Sequence, residues 1–493
     1  MGRFGPSSVD GAYLPSVVET HSSLVFFVSD RVYKLKKAID LGFVDFTDRR
    51  RRLEACRREV ALNRRLAPDV YLGVADITDA SGHVCDHLVV MRRMPADRRL
   101  SALVRANEPL EARLDSLVDL LVGFHRRAER SPAADDAAGV DALAGLWSDN
   151  SDVLAGFDDL LDADAIEAVD VLAHRYLDGR RALFETRVSS GRACDGHGDL
   201  LADDIFFPED SPTVLDCLEF DDALRLGDVL ADIAFLAMDL ERLGRRDLAG
   251  RLLATYRAVS GDDWPSSLAH HHVAYRAQVR AKVSAVRAAQ GDGDAAVDAR
   301  QLLDLARSHL DAGRVRLILV GGSPGTGKST LAHEIGDATG ALVIRSDVVR
   351  KELAGIPSHL SAAAPFGEGL YSARSREAVY TELLDRADRA LGMGQVVVLD
   401  ASWTEEPERI RARRVAEATS SDIIELRCVA PAELLEQRIR RRALAGGDPS
   451  DADADVAAMM AARSDPWPDA VDIDTSYDVP TVLGDALTSI GPV

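Results

Sequence analysis

Gly322-Ser323-Pro324-Gly325-Thr326-Gly327-Lys328-Ser329 follows the spacing G-x-x-x-x-G-K-S. A glycine-rich turn of this kind lets several backbone N–H groups converge on an anion. Its lysine reaches the β and γ phosphates of a nucleotide, and the following hydroxyl can ligate Mg²⁺. The flanking sequence supplies what such a loop needs. Val315 to Val320 is an apolar run ended by glycine, which predicts a buried strand. TLAHEIGDAT, from Thr330 onward, predicts a helix, so the loop and Thr330 stand at a helix N-terminus, where anions are favoured.

Further along, two apolar runs end in carboxylates: Ala341 to Ser346 leads into Asp347, and Gln395 to Leu399 into Asp400. Strand-end carboxylates in an α/β sheet point into the ligand crevice. Asp400 has the form of a carboxylate that holds Mg²⁺ directly or through water. Asp347 and Arg350 lie one turn apart, and Arg438 and Arg442, at i and i+4, share a helix face. Ile423 to Val429 and Val471 to Thr475 complete the set of predicted strands. The S-D-x-x-R arrangement resembles the P-loop small-molecule and zeta-toxin-like kinases, close to gluconate kinase and chloramphenicol phosphotransferase. That resemblance implies that Asp347 activates an acceptor hydroxyl and that Arg350 binds the acceptor or its phosphate. It also implies a lid helix whose Arg438 and Arg442 stabilise charge on the transferring phosphoryl group.

A second constellation lies upstream. His197-Gly198-Asp199 precedes Ile205-Phe206-Phe207, a turn-forming stretch follows, and Val214-Leu215 leads into Asp216. HGDLLADDIFF followed by VLDCLEF resembles the catalytic and metal segments of the aminoglycoside phosphotransferase and choline kinase family, H-G-D-x-x-x-x-N followed by I-D-x. The resemblance implies that Asp199 is the base for a substrate hydroxyl and that Asp216 is a Mg²⁺ ligand. It implies a structural role for Asp232. Asp204 stands where the family has Asn as the second metal ligand. An aspartate still offers oxygen to Mg²⁺, but it adds negative charge beside the phosphates. Lys34 or Lys36 with Glu59 then forms the nucleotide-holding pair, and Met91-Arg92-Arg93-Met94 the hinge against the purine.

Elements must bring these residues together. Two β-rich runs flank Ser29-Asp30, which predicts a hairpin carrying Lys34 and Lys36 on one strand face. Arg50 to Leu66 predicts a helix containing Glu59, and strands follow around Val74 to Ile77 and His87 to Met91. Leu103 to Arg187 reads as helical with a loop at Pro132, and Asp239 to Ala289 is helical again. His270-His271-His272 cannot share one helix face and reads as a solvated or helix-end run. The expected fold is an α+β, protein-kinase-like, two-lobed domain over residues 1–292, with a small lobe to about 95. A linker helix at 293–312 then leads to an α/β doubly wound P-loop domain over 313–493.

At 493 residues the chain exceeds one ordinary core. The net charge of −22 disfavours polyanions, so nucleic acid is not the expected partner. No run of about 18 apolar residues suggests a membrane span. The five cysteines form no C-x-x-C pair, which points to reduced thiols in a cytoplasm. The expected activity is a bifunctional phosphotransferase using ATP or GTP with Mg²⁺. Its acceptors would be hydroxyl groups of small molecules such as a sugar or amino sugar. The rivals are a nucleotide-binding regulator with one inactive domain, and a toxin-like or polynucleotide 5′-kinase in the second half. Oligomeric state is not legible.

Overall fold

The computed structural model describes residues 16–357, 372–445 and 464–491, apart from positions 21, 41, 43 and 44, with 459 and 462 described singly. The first sheet has five strands: β1 (Ser16–Glu19), β2 (Ser23–Val28), β3 (Arg31–Lys36), β4 (Tyr71–Thr78) and β5 (Val84–Arg92). They run antiparallel in the order β1-β2-β3-β5-β4. The β2–β3 hairpin turns at Ser29, whose φ of 52° is the left-handed conformation a tight turn demands.

Helix α1 (Arg49–Asn63) is capped by the Asp48 carboxylate, which accepts from the Arg50 N–H, and it packs on β4 and β5. Its buried face carries Arg52, Cys56, Glu59, Val60 and Asn63, spaced three and four apart. Glu59 and Arg52 are buried because each has partners on the sheet: Arg52 binds Asp86 on β5, and Glu59 binds the β3 lysines.

The large lobe is helical, with two short two-stranded ribbons that hold the chemically interesting loops: Ala193–Asp195 with Leu226–Asp228, and Ile205–Phe206 with Thr213–Val214. Two sequence expectations are corrected there. Pro132 opens a helix, Pro132–Ala137, because Ser131 accepts from the Ala134 N–H and proline is tolerated in the first turn. His271 and His272 are buried within the helix Ser266–Ala289, and His271 stacks on Tyr176 with ring centroids 4.6 Å apart.

The second sheet is five parallel strands in the order Leu342–Arg345, Val397–Asp400, Arg316–Gly321, Asp422–Val429, Val471–Asp474. Alternation along Arg316–Gly321 divides its side chains between two cores. Ile318 and Val320 join the helices Lys328–Thr339 and Val479–Ile490 on one face. Leu317 and Leu319 face the other way, into a core that continues through the helix Ala373–Gly392 into the large lobe. Helices therefore cover both faces, as a doubly wound sheet requires.

The helix Gly293–Ala312 lies along Ser266–Ala289 and buries Ala295, Ala299, Leu302, Leu303, Ala306 and Leu310. Between the domains, the buried Arg180 donates to Thr419 O and Ser421 Oγ, and Arg175 pairs with Asp422 at 2.7 Å. Among the described residues no helix is long and apolar enough to cross a membrane.

Candidate active sites

In the first domain, the period of two along β3 puts Lys34 and Lys36 on the same side, and both meet Glu59 of α1. Lys34 Nζ lies 2.9 Å from Glu59 Oε1, and Lys36 Nζ lies 2.6 Å from Oε2. Their second partners differ. Lys34 reaches Asp216 Oδ1 at 3.2 Å, whereas Lys36 reaches Glu219 Oε1 at 2.6 Å. Burial opposes the Glu59 charge, but the two ammonium groups outweigh it and hold the carboxyl well below the usual range.

The loop bearing Asp199 is fixed from below. Asp232 accepts from the N–H groups of His197 at 2.6 Å and Gly198 at 2.9 Å, and it meets His125 Nε2 at 3.2 Å. His197 Nε2 in turn sits 3.1 Å from Leu215 O, beside Asp216. Asp199 is half-buried, and its carboxyl is pushed up by burial, with Arg280 and Arg276 opposing and Asp216 reinforcing. Asp204 is pushed up strongly, first by burial and then by repulsion from Asp216 and Asp199. The structure thus places Asp199, Asp204 and Asp216 within mutual electrostatic reach, with Lys34 and Glu59 on the facing lobe.

Asp216 has a φ of 60°, a left-handed conformation that a non-glycine residue adopts only when its surroundings impose it. Here its N–H donates to the Tyr71 hydroxyl at 3.3 Å, and the next N–H, of Cys217, donates to Asn63 Oδ1 at 2.8 Å. The expected hinge, Met91 to Met94, leaves the sheet at the end of β5. The Arg92 N–H donates to Val70 O at 2.9 Å and the Arg93 N–H to Asp30 O at 2.8 Å. The Arg93 guanidinium lies over the Phe27 ring.

The second site is made mostly of backbone. Gly322, Gly325 and Gly327 have φ values of 139°, 87° and 86°. A Cβ on Gly322 would stand 2.8 Å from Cys428 O and 2.7 Å from Thr326 Oγ1, so only glycine lets the loop pass there. Ser323 O accepts from both the N–H and the hydroxyl of Thr326, and Thr326 O accepts from the Thr475 hydroxyl at 2.6 Å. Pro324 is buried between these turns. The helix begins at Lys328, two residues earlier than the sequence suggested, so Ser329 and Thr330 lie in its first turn.

Asp400 ends its strand beside the loop and is buried; Arg345 Nε donates to its Oδ2 at 3.2 Å, while Oδ1 has no hydrogen-bond partner. Asp347 falls in the first turn of the helix Ser346–Leu353, and Arg350, one turn on, pairs with it. Arg438 donates to Thr475 O at 2.7 Å and to Thr475 Oγ1 at 3.2 Å, which holds its guanidinium beside Gly327. The Arg442 side chain lies outside the described residues.

Among the described residues, no three His, Cys, Asp or Glu side chains form a preassembled metal cage. Mg²⁺ takes one or two carboxylates and completes its shell with water and phosphate oxygen. The orphaned Asp400 Oδ1, and the crowding that raises Asp204 beside Asp216, are the features a divalent cation would relieve.

Sequence reasoning passed over Glu219, Tyr71, Asn63, Arg345 and Thr475. Glu219 and Arg345 stood next to recognised motifs. Tyr71 and Asn63 gave no local signal, because only the packing of α1 and β4 brings them to the Asp216 loop.

A kinase-like lobe pair joined to a parallel-sheet phosphate-loop domain defines the class. The sequence model of a family described as "Phosphotransferase enzyme family" matches residues 20–270, and one described as "AAA domain" matches residues 317–467. The chain belongs to the phosphotransferase enzyme family. Relatives described as uncharacterized proteins of Mycobacterium tuberculosis and Mycobacterium bovis are each 44% identical over 461 residues, covering 93% of this chain and 92% of theirs. Among solved structures, a choline/ethanolamine kinase family protein from Mesorhizobium loti is 14% identical and covers 61% of this chain and 90% of its own, at a TM-score of 0.37. A sugar kinase from Janibacter sp. is 20% identical and covers 36% of this chain and 96% of its own, at a TM-score of 0.27. Likenesses of that degree say nothing about substrate.

Proposed function

We propose that both domains are active, each transferring the γ-phosphoryl group of ATP or GTP to a hydroxyl group of a small molecule such as a sugar or amino sugar. The observation that carries this reading is Lys34, which joins Glu59 to Asp216 on the far side of the cleft, beside a half-buried Asp199. In the first domain Lys34 binds the nucleotide phosphates, and Asp199 accepts the proton as the acceptor oxygen attacks phosphorus. The bond from the γ-phosphorus to its bridging oxygen breaks, and the nucleoside diphosphate leaves. In the second domain the backbone of Gly322 to Gly327 cradles the phosphates, Lys328 adds charge, and Asp347 takes the acceptor proton with Arg350 beside it. Arg438, with Arg442, offsets charge on the transferring group. Asp204 with Asp216 in one site, and Ser329 with Asp400 in the other, would hold Mg²⁺. Bound there, the ion neutralises phosphate charge and orients the triphosphate.

Asp204 favours a second reading. An extra carboxylate beside polyphosphate weakens binding unless a cation offsets it, and the first domain would then bind nucleotide without turning it over. A phosphorylation screen of a small-molecule extract separates the two readings. It is run on the full chain and on Lys328→Ala and Asp199→Asn variants. Dual activity predicts two sets of products, one lost in each variant. A single set, lost only in Lys328→Ala, together with an ATP analogue still bound by that variant, supports the regulatory reading of the first domain.

A further inference from the structure

β3 carries two lysines on one face, and a nucleotide needs one. Lys36 cannot be that one without rearrangement. Its side chain is fully buried, its ammonium is held at 2.6 Å by both Glu59 and Glu219, and it lies 5.5 Å from the centre of the Phe46 ring. Lys34 is partly exposed and touches Asp216. Glu219 stands three residues after Asp216, on the same loop. That loop's other ionic ties to the small lobe, Lys34 with Asp216 and Arg58 with Asp222, reach carboxylates that are about half exposed, and further ties run from Asp216 to Tyr71, from Cys217 to Asn63 and from Arg65 to Cys217 Sγ. It is tied to the Asp199 loop by the Leu218 N–H, which donates to His197 O at 3.1 Å.

We infer that Lys36 and Glu219 form a latch: Lys36 is a positioning residue that couples α1, through Glu59, to the loop carrying Asp216, and it never meets the nucleotide. The inference rests on the phosphotransferase reading of this domain. Its physical basis is the cost of a buried charge without a partner. While Glu219 is engaged, the loop stays against β3 and presents Asp216 with its φ of 60°. Without Lys36, two largely buried carboxylates, Glu59 and Glu219, share a single remaining ammonium, and Glu219 turns outward to water with its loop. Charge-assisted bonds between buried partners are the strong ones, whereas ion pairs to half-exposed carboxylates such as Asp216 and Asp222 are screened by solvent, so the Lys36–Glu219 contact outweighs those beside it.

The test uses the full chain with Lys328→Ala, so that the second domain is silent, and compares Lys36→Met, Glu219→Gln and Lys34→Ala. Hydrogen exchange is read without nucleotide over residues 216–220. Binding of a non-hydrolysable ATP analogue is read with and without Mg²⁺. A latch predicts that Lys36→Met and Glu219→Gln speed exchange of that segment about tenfold or more. It predicts that they leave metal-free binding within about twofold and reduce the Mg²⁺-dependent gain in affinity about tenfold. Lys34→Ala removes only the contact to the half-exposed Asp216, so it should instead lose metal-free affinity with a smaller change in exchange than either latch variant. Glu219→Gln keeps the shape and one hydrogen bond, so it reports even where Lys36→Met fails to fold. Unchanged exchange in Glu219→Gln overturns the latch, as does a loss of metal-free binding in Lys36→Met equal to that in Lys34→Ala. If the parent chain binds no analogue, the phosphotransferase reading of this domain fails, while the exchange data still decide the latch.

Discussion

The two candidate sites solve one problem, holding a polyphosphate, with different materials. The second is a stretch of backbone: eight consecutive residues whose three glycines take positive φ, with a Cβ at Gly322 colliding outright. The first is assembled from side chains on β3, α1 and two large-lobe loops, with Lys34 and Asp216 separated by 182 positions. A backbone site depends on local conformation and tolerates change elsewhere. A side-chain site depends on how two lobes sit, and each of its charges needs a partner supplied from a distance. The comparison teaches where each site is vulnerable.

The largest effect expected is chemical. Asp199→Asn should lower turnover by the first domain about 10²–10⁴-fold, the contribution of a positioned base. Nucleotide affinity should remain, because Lys34, Glu59 and Asp216 are untouched. Single-turnover phosphorylation and calorimetry on the same sample check this, and an equal loss of affinity would mean that Asp199 acts on the nucleotide.

Gly322→Ala attacks the other material. A Cβ there meets a carbonyl that cannot move without shifting the strand Asp422–Val429. The second site should lose nucleotide affinity by about a hundredfold or more, the scale of a few kcal/mol of forced displacement. The first site should be unchanged. A loss at both sites would show that the shared core transmits strain between them.

This contrast also explains what the sequence could and could not reveal. The phosphate loop was legible because its chemistry is contiguous, and the strand on one side and helix on the other follow from an apolar run and a helical period. Asp199 and Asp216 were legible through motif spacing. The choice between Lys34 and Lys36 was not, because a period of two puts both on one face, and only Glu219 and Asp216, on a distant loop, distinguish them. The meeting of Glu59 with the β3 lysines followed from the resemblance, whereas its complete burial did not, because its helix has a weak apolar stripe and the partners that allow burial lie on β3. His271 and His272 misled because burial among aromatic rings, such as Tyr176, leaves no trace in a run of three polar residues.

A smaller effect probes the carboxylate crowding. Asp204→Asn removes one negative charge without changing shape, and should lower the Mg²⁺ concentration needed for half-maximal nucleotide binding by several-fold. Metal titration of the first site, with the second silenced by Lys328→Ala, measures it. An unchanged requirement would mean that Asp204 is not a ligand.

The smallest effect concerns acid stability. In the large lobe Arg187 is buried between Asp228, at 2.7 Å, and Asp262, at 2.8 Å. Burial works against the Asp228 charge, but Arg187 outweighs it and holds the carboxyl below its ordinary value. A depressed carboxyl stabilises the fold above its unfolded value near pH 4, and the contribution fades as the pH falls through the folded value. At the second sheet's outer edge the ion pair of Arg427 with Asp472 is solvent-exposed and contributes little. Acid unfolding below about pH 4 should therefore begin in the first domain, which segment-resolved hydrogen exchange can follow.

Two working nucleotide sites on one chain can be counted by their stoichiometry. Equilibrium dialysis of the full chain against a labelled, non-hydrolysable ATP analogue in saturating Mg²⁺ should give two bound per chain. Lys328→Ala should leave one, and Lys328→Ala combined with Lys34→Ala should leave none at the same concentration. One bound per chain in the wild type, abolished by Lys328→Ala alone, would contradict the account and leave the kinase-like lobes as a scaffold for the phosphate-loop domain.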